Sequence, residues 1–211
     1  MTGKIKLVHS GGNAVSITVP TSNPSSSEVE FKLPQADGSA NQVLKTDGSG
    51  NLSFAADSGG KFASYAIIGD VKSVDTDGGT FTSGDWRTRD LNTEITDTDN
   101  IVSISSNQFT LAAGSYLIQW SCPGMRCGRH QSRLYDITGS ASIQNGKSTT
   151  SDTGSDGDQN DSDGVARITI SANNVYEIQH QCSTTEATIG LGNAAHFGTE
   201  VYTLVKIFKE A

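Results

Sequence analysis

From Tyr116 to Cys122 the side chains alternate, with Tyr116, Ile118, Trp120 and Cys122 on one side and Leu117, Gln119 and Ser121 on the other. That is the period of a strand with one buried face. The run closes a longer stretch, Asn107 to Cys122, NQFTLAAGSYLIQWSC, in which two apolar β segments are hinged on a glycine. Further strands are predicted at 63–71, 101–104 and 131–145, and in ARITIS, VYEIQHQC and EVYTLVKIFK, with turn signals between them. No window of 11 or more residues carries an apolar repeat of helical period, so the class read from the pattern is an all-β sandwich.

The first sixty residues are patterned differently. Residues 4–19 read as two short strands around Gly-Gly-Asn, and 28–33 as one more short strand within a segment punctuated by Pro20, Pro24 and Pro34. In Leu33 to Phe54, VLKT and NLSF flank DGSG, a hairpin signal because Asp-Gly accepts the positive φ of such turns. This part buries little by itself and is expected to need a partner chain or a larger assembly. AADSGGK, residues 55–61, reads as a linker. The expected organisation is a β anchor over 1–35, a hairpin stem and linker over 36–61, and a head over 62–211.

Composition narrows the functional classes. The 211 residues carry a net charge of −8, which leaves no basic footprint for phosphates, so nucleic acid is not an expected partner. No run of about 18 apolar residues occurs and residues 1–12 lack a signal-peptide core, so membrane insertion and export are not expected. Cys122, Cys127 and Cys182 are read as small core hydrophobes rather than a disulfide framework.

Two resemblances add to this reading. LPQADGSANQVLKTDGSGNLSF resembles the short β module near the N-termini of tailed-bacteriophage fibre and fibre-like structural proteins, in its Leu-Pro, its two Asp-Gly pairs and its apolar positions. Over the head, Trp86, Leu91, Asn92, Thr93, Phe109, Ala113, Gly114, Tyr116 and the terminal VYTLVKI resemble, in order, the complement globular-head and tumour-necrosis-factor-like jelly roll. The head lacks the collagen-like tract of complement proteins and carries a long acidic insertion. Together these imply a homotrimeric virion protein, made in the host cytoplasm, whose residues 1–35 join other virion proteins. Its jelly-roll head would adhere to a host-surface glycan or protein without catalysis. The alternatives are a capsid decoration or head-fibre protein of mainly structural role, and a soluble lectin-like module.

In that fold the termini of the head lie together at the base, so strand parity places residues 123–129, 147–164 and 183–199 at the far end. The expected contact residues are Arg126, Arg129 and His130 of the basic MRCGRH run, Asp156, Asp158, Asp161 and Asp163 of the acidic run, and His196. The basic run suits ordinary pairing with neighbouring aspartates or, as a contact surface, capture of an anionic sugar or phosphate. The four aspartates are an irregular calcium candidate beside the plainer reading of a solvated loop; an EF-hand frame from Asp156 puts Asp161 where Gly is needed and Arg167 at the twelfth position. Zinc at Cys127, His130, His180 and Cys182 lacks the paired spacing of zinc motifs. No nucleophile elbow or other catalytic signature occurs, and no cofactor is expected.

Overall fold

The computed structural model describes residues 4–18, 22, 24, 28–57, 60–155 and 157–211. They fall into two compact units, Met1–Asp57 and Ser58–Ala211.

The first unit is built of two hairpins. β1 (Lys4–Val8) pairs with β2 (Ala14–Thr18). β3 (Gln42–Thr46) pairs with β4 (Leu52–Ala56). The second turn is held by Asp47, whose carboxylate accepts the Ser49 N–H at 2.8 Å and the Asn51 side-chain amide at 2.6 Å. Gly48 and Gly50 take φ of 80° and 88° there, which is why the turn needs glycine. The short strand expected over 28–33 is corrected: only a single parallel bridge, Lys32 to Asn51, is made. Pro34 ends the segment without an N–H to extend a ladder. No described residue of this unit is buried, and Ile5, Leu7, Ile17, Phe31 and Leu33 stand open to solvent.

The second unit holds twelve strands. They are β5 (Phe62–Lys72), β6 (Arg87–Thr88), β7 (Thr93–Thr96), β8 (Val102–Ser105), β9 (Gln108–Leu111), β10 (Gly114–Met125), β11 (Gly128–Asp136), β12 (Ala141–Asn145), β13 (Thr149–Ser151), β14 (Gln159–Ile170), β15 (Asn174–Cys182) and β16 (Glu200–Glu210). One sheet has the order β14-β10-β16-β5-β7. The other has the order β12-β11-β15-β9-β8, with β13 added on β11 and β6 on β15. The chain crosses after β5 for β6, returns at β7, crosses for β8 and β9, returns at β10, crosses for β11 to β13, returns at β14, crosses for β15 and ends in β16, with every strand pairing of this unit antiparallel. This is a jelly-roll sandwich.

The alternation read from sequence sets the core. Ile68, Ile118, Trp120, Val205 and Ile207 face inward from the five-stranded sheet and meet Phe109, Leu111, Leu134, Tyr176 and Ile178 of the other. Trp120 also bolts the sheets together through a polar path. Its indole N–H donates to Ser132 Oγ at 2.8 Å, and that hydroxyl donates to the Ser162 carbonyl at 2.9 Å. The indole lies against Gly164, where a Cβ would come within 1.9 Å of Trp120 Cζ2. At the base, the Ala211 N–H donates to the Lys61 carbonyl at 3.0 Å, so the two ends of the head touch.

β10 runs further than its pattern suggests. Pro123, Gly124 and Met125 remain paired with Asp161, Asn160 and Gln159 of β14, so 123–125 are strand and not loop. Pairing with β16 stops at Ser121, which leaves the missing Pro123 N–H without a ladder partner to disappoint.

Candidate functional site

The far end of the head is where several connections converge. Thr184 N–H donates to the Cys127 carbonyl, Met125 N–H to that of Gly190, and Asn193 N–H to Gln159 Oε1. The segment between β5 and β6 joins them: Gly78 and Gly79 donate to the carbonyls of Gly192 and Thr188, and Phe81 exchanges both bonds with Glu186. The three expected loops are therefore neighbours. A fourth, 73–86, shares the surface and was not anticipated there.

One side chain ties this end together. Arg89 is fully buried and donates from Nε to Thr203 Oγ1 (2.7 Å), from Nη1 to the Pro123 carbonyl (3.2 Å) and from Nη2 to the Leu191 carbonyl (2.8 Å). Burial pulls its pKa below the usual guanidinium value. Beneath it, His130 Nδ1 and His180 Nε2 lie 3.0 Å apart, with Phe81 against His180. Burial lowers both imidazoles, His130 to about 4 and His180 well below its ordinary value, and the Arg89 charge adds to each shift. Both rings are neutral at physiological pH. All three thiols are free and buried; burial raises Cys122 to about 12, while a hydrogen bond shared with Cys182 lowers Cys127.

The expected contact residues separate on this framework. Arg126 sits at the β10–β11 turn with φ of 51° and already donates to the Ser155 carbonyl. Arg129 is exposed on β11. His130 is corrected from loop contact to interior residue, only 4% exposed, because β11 starts at Gly128 and its alternation turns position 130 inward. The acidic run is also shorter as a loop than expected, since β14 already begins at Gln159. Asp158 accepts from the Asp152 N–H and Asn160, which hold its carboxyl below the usual range. Asp161 accepts from Ser121 Oγ at 3.0 Å and Asp163 pairs with Lys147 at 3.3 Å, both on β14. Asp156 lies outside the described residues. Among the described residues no three His, Cys, Asp or Glu side chains converge as metal ligands; Asp161 and Asp163 stand along β14, and Asp158 precedes it. His196 is exposed, with φ of 65°; Asp75 bonds its Nδ1 at 2.8 Å and raises its pKa.

The outward faces of the two sheets differ in chemistry. On the five-stranded sheet, Tyr65, Phe208 and Leu117 form one cross-strand row ended by Arg167, with Val165 on a row shared with Gln119 and Lys206, and Leu204 on one shared with Ser121 and Asp163. Tyr65 and Val165 are more than half exposed, and Phe62 stacks on Phe208 at 5.4 Å. On the seven-stranded sheet the outward positions are Arg129, Gln131, Arg133 and Tyr135 of β11 beside Gln181, Gln179 and Glu177 of β15. Sequence alternation marks both sets as outward but does not say which face lacks a cover.

No family model matches the chain, and no curated protein sequence matches it. Among solved structures it is similar to the globular domain of zebrafish complement 1qA protein, at 14% identity over 69% of this chain and 95% of that one, with a TM-score of 0.41. It is similar to murine APRIL at pH 5.0, at 8% identity over 69% and 98%, with a TM-score of 0.46. It is also similar to the PRD1 vertex protein P5, at 11% identity over 72% and 98%, with a TM-score of 0.42.

Proposed function

We propose that this chain is a structural protein of a tailed-phage particle, a homotrimer whose head adheres to a host surface without catalysis. The observation that carries the reading is the outward face of the five-stranded sheet, where Phe62, Tyr65, Val165, Ile95 and Val201 are each at least 40% exposed in one contiguous sheet. Apolar surface of that kind marks an interaction face. A closed ring of three copies covers such a face on every copy at once. The first unit supports the attachment half of the reading: its described residues bury no side chain, and its DGSG hairpin carries the fibre-module pattern. Residues 1–35 then dock on another virion protein, and the far end of the head meets the host.

Light scattering of the full chain tests the assembly: a mass of three 22.1 kDa chains is expected, and Tyr65→Arg should reduce it to one. A wild-type monomer at micromolar concentration overturns the trimer. Labelling the chain on intact particles then decides its place, with few copies at the tail expected for a receptor-binding fibre and many copies over the capsid for a decoration protein.

A further inference from the structure

The polar face of the seven-stranded sheet contains a built cleft of about 480 Å³, lined by Trp86, Arg129, Gln131, Thr150, Gln181 and Ser183. From these residues the geometry points to a binding site for an acidic saccharide, a sugar bearing a carboxylate, in the cleft beside Trp86. This deepens the adhesion half of the reading above and rests on it.

Arg133 stacks its guanidinium 4.0 Å from the centre of Trp86 and 4.8 Å from that of Tyr135. Arg133 is held in turn by Gln179 Oε1 at 2.7 Å, Gln179 by Glu177 at 2.5 Å, and Glu177 by Gln108 at 3.1 Å. A chain of four side chains thus fixes an aromatic ring that has no place in the core, and such pre-ordering removes part of the entropic cost of binding. A half-buried aromatic wall with convergent polar groups is the usual make-up of a small-ligand site. Arg133 occupies one face of the indole, so it is the other, on the side where Trp86 lines the cleft, that offers a flat apolar surface to the C–H face of a pyranose ring.

The polar groups extend the match. Gln131 donates to the Gly146 carbonyl and Ser148 Oγ, and Gln181 donates to the Gly84 carbonyl at 2.6 Å. Both amides are therefore oriented, and among the described residues their carbonyl oxygens accept nothing. Those oxygens, with the hydroxyls of Thr150 and Ser183, suit sugar hydroxyls, which both donate and accept. Arg129 supplies the charge: among the described residues its guanidinium has no hydrogen bond or ion pair, in a protein of net charge −8. One planar guanidinium matches one planar carboxylate in a bidentate pair. The cleft lies on the face opposite the apolar one, so it stays open when copies assemble.

The test is a two-dimensional NMR titration of the full chain with galacturonic acid trisaccharide and with the galactose trisaccharide of the same linkage. The chain has two indole signals. The Trp86 signal should move with the uronate at least five-fold more steeply than with the neutral sugar, while the Trp120 signal, bonded to Ser132 in the core, stays still. Arg129→Ala should erase the preference for the acid, and Trp86→Ala should abolish the uronate-induced shifts of the backbone amides of Gln131 and Gln181, which line the cleft, each with the Trp120 signal unshifted as proof of folding. A Trp86 signal unmoved by the uronate, or an acid preference that survives Arg129→Ala, overturns the site. A monomeric chain that still binds the uronate at Trp86 removes the trimer and keeps the site; a trimer with Trp86 unmoved does the reverse.

Discussion

The two outward faces of the sandwich are made by the same alternation yet differ in chemistry. On β10 and β16 the outward residues Leu117, Leu204 and Phe208 stand among Gln119, Ser121 and Lys206; on β11 and β15 they are Arg129, Gln131, Arg133, Tyr135, Glu177, Gln179 and Gln181. Both sheets bury their inward residues in one shared core, so core formation cannot explain the difference. An apolar outward row weakens solubility and adds nothing to an isolated head, whereas an ordered amide and guanidinium network adds little stability and costs side-chain entropy. On the reading proposed above, one face meets another copy of the chain and the other a hydrated ligand.

The largest disturbance removes both faces together. Trp120→Ala takes out the side chain that spans the sheets and removes the one bond that Ser132 Oγ accepts from the indole, and should cost about 3 to 5 kcal/mol, read as a fall in the urea midpoint. Acid should act next, on the far end. The folded His130 has a pKa of about 4 against about 6.5 when unfolded, so its contribution is fully present above pH 6.5 and is lost as pH falls from 6.5 towards 4. The loss is up to about 3 kcal/mol, and His180 acts in the same direction. Urea midpoints measured at pH 7.5 and 4.5 should differ accordingly, and equal midpoints would sink this account of the histidine pair.

Single-face substitutions should then separate the two surfaces. Leu117→Asp should dissociate the assembly in light scattering while changing the stability of the head by only about 0.5 kcal/mol, the usual scale of a surface change. Gln131→Asp, on the other face, should leave the mass unchanged. If both variants dissociate alike, the contrast between the faces has no functional content. Smallest of all, Arg126→Ala should alter stability by less than about 0.5 kcal/mol and weaken attachment to host cells only modestly, because that side chain is already engaged by the Ser155 carbonyl.

Much of the architecture was legible because alternation is a local property. Tyr116 to Cys122 and Tyr176 to Cys182 give their buried sides directly, and the order of Leu91, Phe109 and Tyr116 matched the jelly roll now seen. What failed was the reading of strand ends. Pro123 and Gly124 look like a loop, yet β14 alone supports them, and β11 begins as early as Gly128, so that its alternation turns His130 into the interior. The aspartates 161 and 163 were likewise read as loop by their acidity, although the alternation of Ser162, Ala166 and Ile168 with exposed partners continues the strand through them. Arg89 left no local signal at all. Its burial depends on carbonyls more than thirty residues away, and an arginine between two short strands is ordinarily a surface residue. Trp86 was visible as an isolated tryptophan, but the guanidinium that fixes it lies 47 positions along the chain and was found only in three dimensions.

The contact between Ala211 and Lys61 at the base has a practical consequence. Chain ends that already touch can be joined by a few glycines at small loop-closure cost, which makes the head a candidate for circular permutation. New ends opened at the exposed turn of residues 138–140 would interrupt neither the five-stranded sheet nor the Arg89 ties. By the same geometry, the whole sandwich can be spliced into a surface loop of an unrelated protein as a removable cassette, entering and leaving through one narrow doorway.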